Sequence, residues 1–343
     1  MTWSRTRLRS AAVGWAVLTV LLIGIAGLAQ FVLAPSTGRV AVQLLITIGL
    51  VVGIQVFVGN SGILSFGHVS FFAVGAYVAG VAAMKPSLRD FQVTAVPSWL
   101  ADRSLGFWPA LLLAVAVGVT WAALTGFFVA RMKTTVIAMA TLALLVVTFN
   151  VVNSWESATN GNQGLAGVPQ LTSTSVALGV TIVITGAAYL FAASPTGLRL
   201  QATREDEVAA RALGVSVCRA RFWGWLLSGV LVSLAGAVWA LNARAFAPSQ
   251  FSFEEMFALL AMLVVGGLGS VSGAVTGAVA LTVLTELIRT GQEALAESGA
   301  ATLPGLIQLS TAAIIIVVLV VRPLGLTNGR EPRLSLPRRK AST

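Results

Sequence analysis

The chain is poor in what a water-soluble protein of its length needs. Only 10% of its 343 residues are charged, against about 25% in soluble globular domains. Most of its surface therefore cannot face water. One cysteine, Cys218, excludes an internal disulfide and a disulfide scaffold. Nothing around that thiol sets up thiol chemistry. One histidine, His68, leaves a metal site short of ligands. The three lysines are Lys85, Lys133 and Lys340, and none follows a glycine, so no G-x-x-x-x-G-K-[ST] loop exists. Paired carboxylates and a nucleophile–base pair are missing too, which argues against an enzyme. What abounds is apolar: 57% of residues. That excludes a disordered chain and points to a lipid bilayer as the main solvent. The formal charge of +10 must then be read by position.

A helix crossing about 30 Å of hydrocarbon needs about 20 apolar residues. Such runs lie at Ala11–Leu33, Ala110–Ala130, Thr135–Val152, Val176–Ala193, Phe222–Leu241 and Gly305–Val321. Two longer runs are interrupted. Val40–Met84 breaks around Gly59–His68, and Met256–Ile288 breaks around Gly266–Ser270. Counting each arm gives about ten transmembrane or half-membrane helices, so the expected fold is an all-α, polytopic membrane protein with two broken helical regions. Ala11–Leu33 is too long for a signal-peptide core and has no small-x-small site after it, so it reads as a retained helix. Residues 1–325 read as one transmembrane domain and 326–343 as a basic, disordered tail.

Placing the N-terminus in the cytoplasm and alternating ten times puts sixteen basic and four acidic residues inside, a balance of +12. The outside then holds six basic and eight acidic residues, a balance of −2. The positive-inside rule favours this orientation, with both termini cytoplasmic. The charge is an orientation signal, and nucleic acid is not expected as a partner. Trp3, Trp99, Trp108, Trp155, Trp223 and Trp225 fall near proposed helix ends, as interfacial anchors would.

The most informative polar segment is 194–221. Thr203 reads as an N-cap with Asp206 three residues on, a variant capping box. Glu205, Asp206 and Glu207 suit a helix N-terminus. Val208, Ala209, Ala212 and Leu213 form an apolar stripe, and Gly214 fits the C′ position. The expectation is an amphipathic helix over Arg204–Leu213. It either lies on the headgroups as a connector or docks into a groove of a cytoplasmic partner, with Ala209, Ala210 and Ala212 permitting close approach.

Broken backbone at membrane depth must be satisfied by protein or by a water-filled cavity. Gly59, Asn60, Gly62, Ser65 and His68 in the first break, and Gly266, Gly267, Gly269 and Ser270 in the second, are candidate lining of a translocation path at a repeat interface. Close helix packing through small residues is the other reading, favoured for Gly273 and Gly277. An inverted pseudo-repeat would relate the two halves. His68 reads either as a buried, hydrogen-bonded histidine or as a pathway residue. Glu286 and Arg289, at i,i+3 near an outer helix end, read as a local ion pair. Gln43, Asn150 and Gln308 are candidates for hydrogen bonds between helices.

These residues resemble a family. The run from Ser194 through Gly214, extended by Ser228 and Leu234–Ala237, looks like the coupling loop of branched-chain amino acid ABC transporter permeases. Gly59-Asn60-Ser61-Gly62 through Ser65-Phe66-Gly67-His68, then Phe71-Phe72 and Gly75-Ala76-Tyr77, resemble the same family. So does Met262–Ser270 followed by Gly273 and Gly277. Thr159–Pro169 resembles the turn of the larger, LivM-type subunit. The resemblance covers roughly residues 40–325. It implies one membrane subunit of an ATP-driven importer in the bacterial cytoplasmic membrane. The implied partners are a second homologous permease, two ATP-binding subunits and an extracytoplasmic solute-binding protein. No cofactor is expected on this chain; ATP and Mg would belong to the partner ATPase. Arg204, Glu205, Glu207, Ala209, Ala210 and Gly214 would meet that ATPase, in a loop whose Glu207-to-Gly214 spacing is one residue longer than the general importer pattern. A secondary transporter of small organic solutes is the alternative, though it would normally carry more intramembrane acids. Leucine, isoleucine and valine are the family default, with urea, amides, other amino acids and aromatic acids as substrates of relatives.

Overall fold

The computed structural model describes residues 2–31, 35–297, 305–322, 324–329 and 331, with side chains chiefly over 11–27 and 40–293. The helices are α1 (Thr2–Phe31), α2 (Pro35–Ser61), α3 (His68–Ala83), α4 (Pro86–Gln92), α5 (Ser98–Ala101), α6 (Phe107–Val129), α7 (Thr134–Ser154) and α8 (Glu156–Thr159). They continue with α9 (Thr174–Ala193), α10 (Pro195–Glu205), α11 (Glu207–Ala212), α12 (Val217–Ala243), α13 (Phe253–Gly266), α14 (Val271–Glu297) and α15 (Leu306–Val321). All ten expected apolar arms are helical: α1, α2, α3, α6, α7, α9, α12, α13, α14 and α15. Among the described residues, six helices are long and apolar enough to cross a membrane: α2, α6, α7, α9, α12 and α14. The chain is an all-α, multi-pass membrane protein.

Two helices make the centre. The spanning window of α2 is 89% buried, whereas that of α7 is only 22% buried. Exposed Leu112, Phe127, Phe128, Met139 and Val147 on α6 and α7 suit a lipid-facing wall. Lipid offers no hydrophobic drive between helices, so close packing and hydrogen bonds hold them together. Ser228 Oγ donates to the Gly53 carbonyl at 2.7 Å, joining α12 to α2. Thr181 Oγ1 donates to the Leu45 carbonyl at 2.8 Å, joining α9 to α2. Trp225 Nε1 donates to Thr125 Oγ1 at 3.0 Å, joining α12 to α6. Each such bond is worth about 0.6 kcal/mol in a membrane protein, so several together are needed to fix the bundle.

The packing partners repeat. Helix α3 packs on α6 and α7, and α13 packs on α14 and α15; α12 covers α3 and α6, and α2 covers α13 and α14. The same pairing pattern thus recurs in two sets of five apolar arms. The two breaks are not equivalent within it: one joins the second and third arms of its half, the other the third and fourth. Both lie at the end of the bundle that carries the 194–221 segment, the basic end. The far end is capped by α4, α5, α8 and a two-residue antiparallel pairing of β1 (Leu165–Ala166) with β2 (Ala245–Phe246).

Arg89 holds that cap. It is 0% exposed and donates to the carbonyls of Leu100, Ala101 and Arg103, the last at 3.0 Å. No feature of the run Pro86–Gln92 marks it beforehand. Three expectations need correction. Trp225 is no interfacial anchor: it is 0% exposed, because its ring fills the centre of the α2–α3–α12 packing. Trp99, Trp108, Trp155 and Trp223 are exposed, as anchors would be, and Trp3 lies outside the described side chains. Asn150 bonds back to Val146 of its own helix at 2.9 Å and joins nothing, since an exposed amide on a lipid-facing helix finds its nearest acceptor one turn back. Leu326, Thr327 and Glu331 are hydrogen-bonded to the bundle, so a free tail does not start at 326, while 332–343 and the Gln308 side chain lie outside the described residues.

Candidate functional site

Segment 194–221 folds as two short helices, not one. Ser194 caps α10, accepting from Gly197 N, with Pro195 in the first turn. Thr203 is buried within α10 and donates to the Leu200 carbonyl at 2.7 Å, so it is no N-cap. The cap is Asp206, whose backbone turns extended and whose Oδ1 accepts from Val208 N at 2.8 Å and Ala209 N at 2.9 Å. The expected helix Arg204–Leu213 is thus corrected to α11, starting at Glu207, because α10 already occupies residues through Glu205. The far terminus matches expectation. Gly214 has φ +80°, its N–H reaches the Arg211 carbonyl, and Val215 N reaches the Ala210 carbonyl at 3.0 Å. These two bonds are a Schellman closure.

The side chains of this loop divide by direction. Val208 and Leu213 are 78% and 85% exposed, and Ala209, Ala212, Glu205 and Gly214 are also exposed, while Ala210 is buried. The stripe expected to dock therefore faces away from the bundle. Glu207 turns inward. Its carboxylate accepts from Thr134 Oγ1 at 2.9 Å and Arg221 Nη2 at 2.7 Å, and pairs with Arg211. Arg221 is 3% exposed and also donates to the Met132 carbonyl. Burial opposes the charge on Glu207, but the Thr134 hydroxyl and the two guanidinium groups outweigh it and hold the carboxyl below the usual glutamate range. One acid so ties α11 to the start of α7 and to α12.

Arg204 ties the same loop to both breaks. Its Nη1 donates to the Gly59 carbonyl at 2.7 Å, and its stem lies against Gly62, which has φ +69°. Gly269 of the second break also borders this guanidinium. The breaks touch directly: a Cβ on Gly59 would overlap the Leu268 carbonyl. Asn60 accepts from Gln201 Nε2 at 2.7 Å. Arg204, Gly59, Asn60, Gly62 and Gly269 thus form one constellation.

The second break is filled from the C-terminal side. Leu326 N donates to the Val265 carbonyl at 2.8 Å and Thr327 N to the Gly266 carbonyl. Ser270 Oγ bonds Thr327 Oγ1 and accepts from Gly273 N. Glu331 accepts from Val271 N and from the Tyr189 hydroxyl. Gly267 has φ +118°, open only to glycine. Any Cβ on Gly266 or Gly277 would collide with the facing backbone of the α13–α14 pair. Close packing explains Gly273 and Gly277.

His68 and Ser65 stand apart. Ser65 is 0% exposed and accepts from Gly67 N. His68 is also 0% exposed, boxed by Phe57, Phe71 and Trp225 with ring centroids 5.0–5.9 Å away. Neither ring nitrogen has a hydrogen-bond partner. It is buried, as one reading expected, and its ring packs among these aromatic side chains. Among the described residues no group of His, Cys, Asp and Glu could hold a metal. Sequence reasoning missed Gln201, Thr134, Arg221 and Thr327 as joint residues. The one available signal was Arg221, a charge at the mouth of an apolar run.

The sequence profile described as the branched-chain amino acid transport system permease component matches residues 36–321. The chain is 27% identical to the high-affinity branched-chain amino acid transport system permease protein LivM of Salmonella typhimurium, over 93% of this chain and 76% of that one. It is 26% identical to LivM of Escherichia coli, over 92% and 76%. The autoinducer 2 import system permease protein LsrC of an Enterobacter species is 31% identical over 50% of this chain and 53% of its own. No solved structure matches the chain.

Proposed function

The chain belongs to the branched-chain amino acid transport system permease family, and from that premise we propose that it is the membrane-spanning permease subunit of an ATP-driven importer of branched-chain amino acids. The observation that carries the reading is α11. It presents Val208 and Leu213 outward, while Glu207 anchors it to the bundle and Arg204, on the adjoining α10, ties the same loop to the first break. A partner ATPase seated on the outward face moves a helix already wired to α7, α12 and both breaks. Arg204, Glu205, Glu207, Ala209, Ala210 and Gly214 divide this labour: Ala209, Glu205 and Gly214 meet the ATPase, Arg204 and Glu207 pass the motion inward, and buried Ala210 seats the helix on the bundle.

In this reading the basic end is cytoplasmic, with both termini on that side, by the positive-inside rule. The breaks, with Gly59, Asn60, Gly62, Gly266, Gly267, Gly269 and Ser270, form the inner gate of the translocation path, and the fully buried Ser65 and His68 pack behind it. The partners are a second homologous permease, two ATP-binding subunits that carry ATP and Mg, and an extracytoplasmic solute-binding protein. A zwitterion needs a transient polar path here, because affinity resides in the binding protein.

The test is reconstitution. Proteoliposomes holding the full complex with loaded binding protein are expected to take up leucine only with ATP inside. The chain alone, under a proton or sodium gradient, is expected to take up none. Robust gradient-driven uptake without the ATPase would overturn the reading in favour of a secondary transporter.

A further inference from the structure

Helix α2 is buried at every residue from Ala41 to Ser61 except one, Gln43. That side chain opens into a cavity of about 490 Å³ at the far end of the bundle, within the range of about 300–1,000 Å³ usual for small-ligand sites. Its walls come from four elements and carry both signs of charge: Glu286 and Arg289 on α14, Arg244 after α12, and Gln170 before α9. Glu286 accepts from Arg289 Nε at 3.0 Å. Arg244 donates to Gln170 Oε1 from Nε at 2.8 Å and from Nη2, with Nη1 left over. Arg244 also holds φ +64°, a left-handed backbone that costs a non-glycine residue about 1–3 kcal/mol and concentrates at functional positions. Thr282 Oγ1, on the same wall, is buried without a hydrogen-bond partner.

We infer that this cavity is a reception site for a free α-amino acid zwitterion, with Glu286 holding the ammonium group and Arg244 the carboxylate. The inference rests on the importer reading above, in which this end faces outward and receives substrate from the binding protein. The chemistry matches term by term. A zwitterion needs one anion and one cation, and the cavity wall carries both. An apolar side chain needs a partly apolar wall, which Val40 and Ala243 provide. The site is weak by construction: Glu286 is already paired with Arg289, so the ligand's ammonium group shares a carboxylate that is partly neutralised and open to solvent. Weak holding is what a transfer station requires, since tight binding there would stall release inward.

The experiment uses the permease assembled with its ATP-binding subunits, without binding protein, and ligand-observed saturation-transfer NMR. The probes are leucine and 4-methylpentanoate, which lacks the ammonium group. Leucine is expected to bind the wild-type complex, and Glu286→Gln to weaken it about tenfold, the scale of one charge-assisted contact. The same substitution is expected to leave 4-methylpentanoate unchanged, and Glu286→Asp to restore most of the leucine signal. Equal loss for both probes, or equal loss in the Asp variant, would mean a structural role and overturn the proposal. Unchanged leucine binding in Glu286→Gln would overturn it as well, leaving the importer reading intact. If the wild-type full complex fails to import leucine with ATP, the importer reading itself falls and this site falls with it.

Discussion

Removing the Glu207 carboxylate, as Glu207→Ala, should loosen α11 while leaving the rest of the bundle in place. The size of the effect can be built from its three contacts. The bond from Arg211 joins a 63% exposed side chain, so it contributes about 0.3–0.5 kcal/mol. The Thr134 hydroxyl contributes about 1 kcal/mol. The bond from buried Arg221 would be worth about 1.5–3 kcal/mol as a charge-assisted contact, but Glu207 is itself 28% exposed, and solvent cuts this to about 1–1.5 kcal/mol. The total is about 2–3 kcal/mol. Arg221 keeps the Met132 carbonyl and Thr134 Oγ1 as acceptors, so it is not left bare. At 1.4 kcal/mol per factor of ten, local opening rises about 30- to 100-fold. The amides of Ala210, Leu213, Gly214 and Val215 all donate within α11 and its closure, so their hydrogen exchange in the purified complex reads this opening directly. Exchange at these four should accelerate by that factor, while amides of α2 and α3 stay within about twofold, the scatter of independent sites. A rise below about twofold at Ala210–Val215 would refute the joint. So would an equal rise throughout the bundle.

Acid should act on the same joint: a carboxyl held below its ordinary range contributes stability that is full above the ordinary glutamate pKa and is lost as pH falls through the lowered one. Exchange at Ala210–Val215 should therefore be flat from neutral pH to just above that ordinary value and accelerate below it, once intrinsic exchange is divided out; a transition near pH 7 would contradict the Glu207 assignment. At the far end, Arg89→Met should destabilise the detergent-solubilised chain by about 3 kcal/mol or more, because the carbonyls of Leu100, Ala101 and Arg103 lose a buried donor. Thermal unfolding followed by size-exclusion would reveal it, and an unchanged midpoint would show the staple to be dispensable.

What the sequence made legible was local or periodic. Ten apolar arms, the glycine closing α11 at Gly214, and the two interruptions all follow from composition and spacing over a few residues. The start of α11 was not legible, since Thr203 and Asp206 are both competent caps in isolation. Tertiary packing decided between them by extending α10 through Glu205. The inward aim of Arg204 and Glu207 was equally hidden. Arg204 meets Gly59, 145 residues away, and Glu207 meets Thr134, 73 residues away, and no local pattern encodes such pairs. The same limit applies to Trp225. An indole near the start of an apolar run reads as an anchor, and only the neighbouring helices show that it is the centre of the core.

The segment 324–331 has a consequence for the order in which the protein is made. Thr327 bonds Gly266 across 61 residues of chain, and Glu331 joins the head of α14 to Tyr189. The ribosome therefore delivers α13 and α14 to the membrane before the residues that satisfy the carbonyls between them exist. Through the synthesis of α15, the second break is a half-finished lock. Its closure waits on residues made only after α13, α14 and α15 have been synthesised.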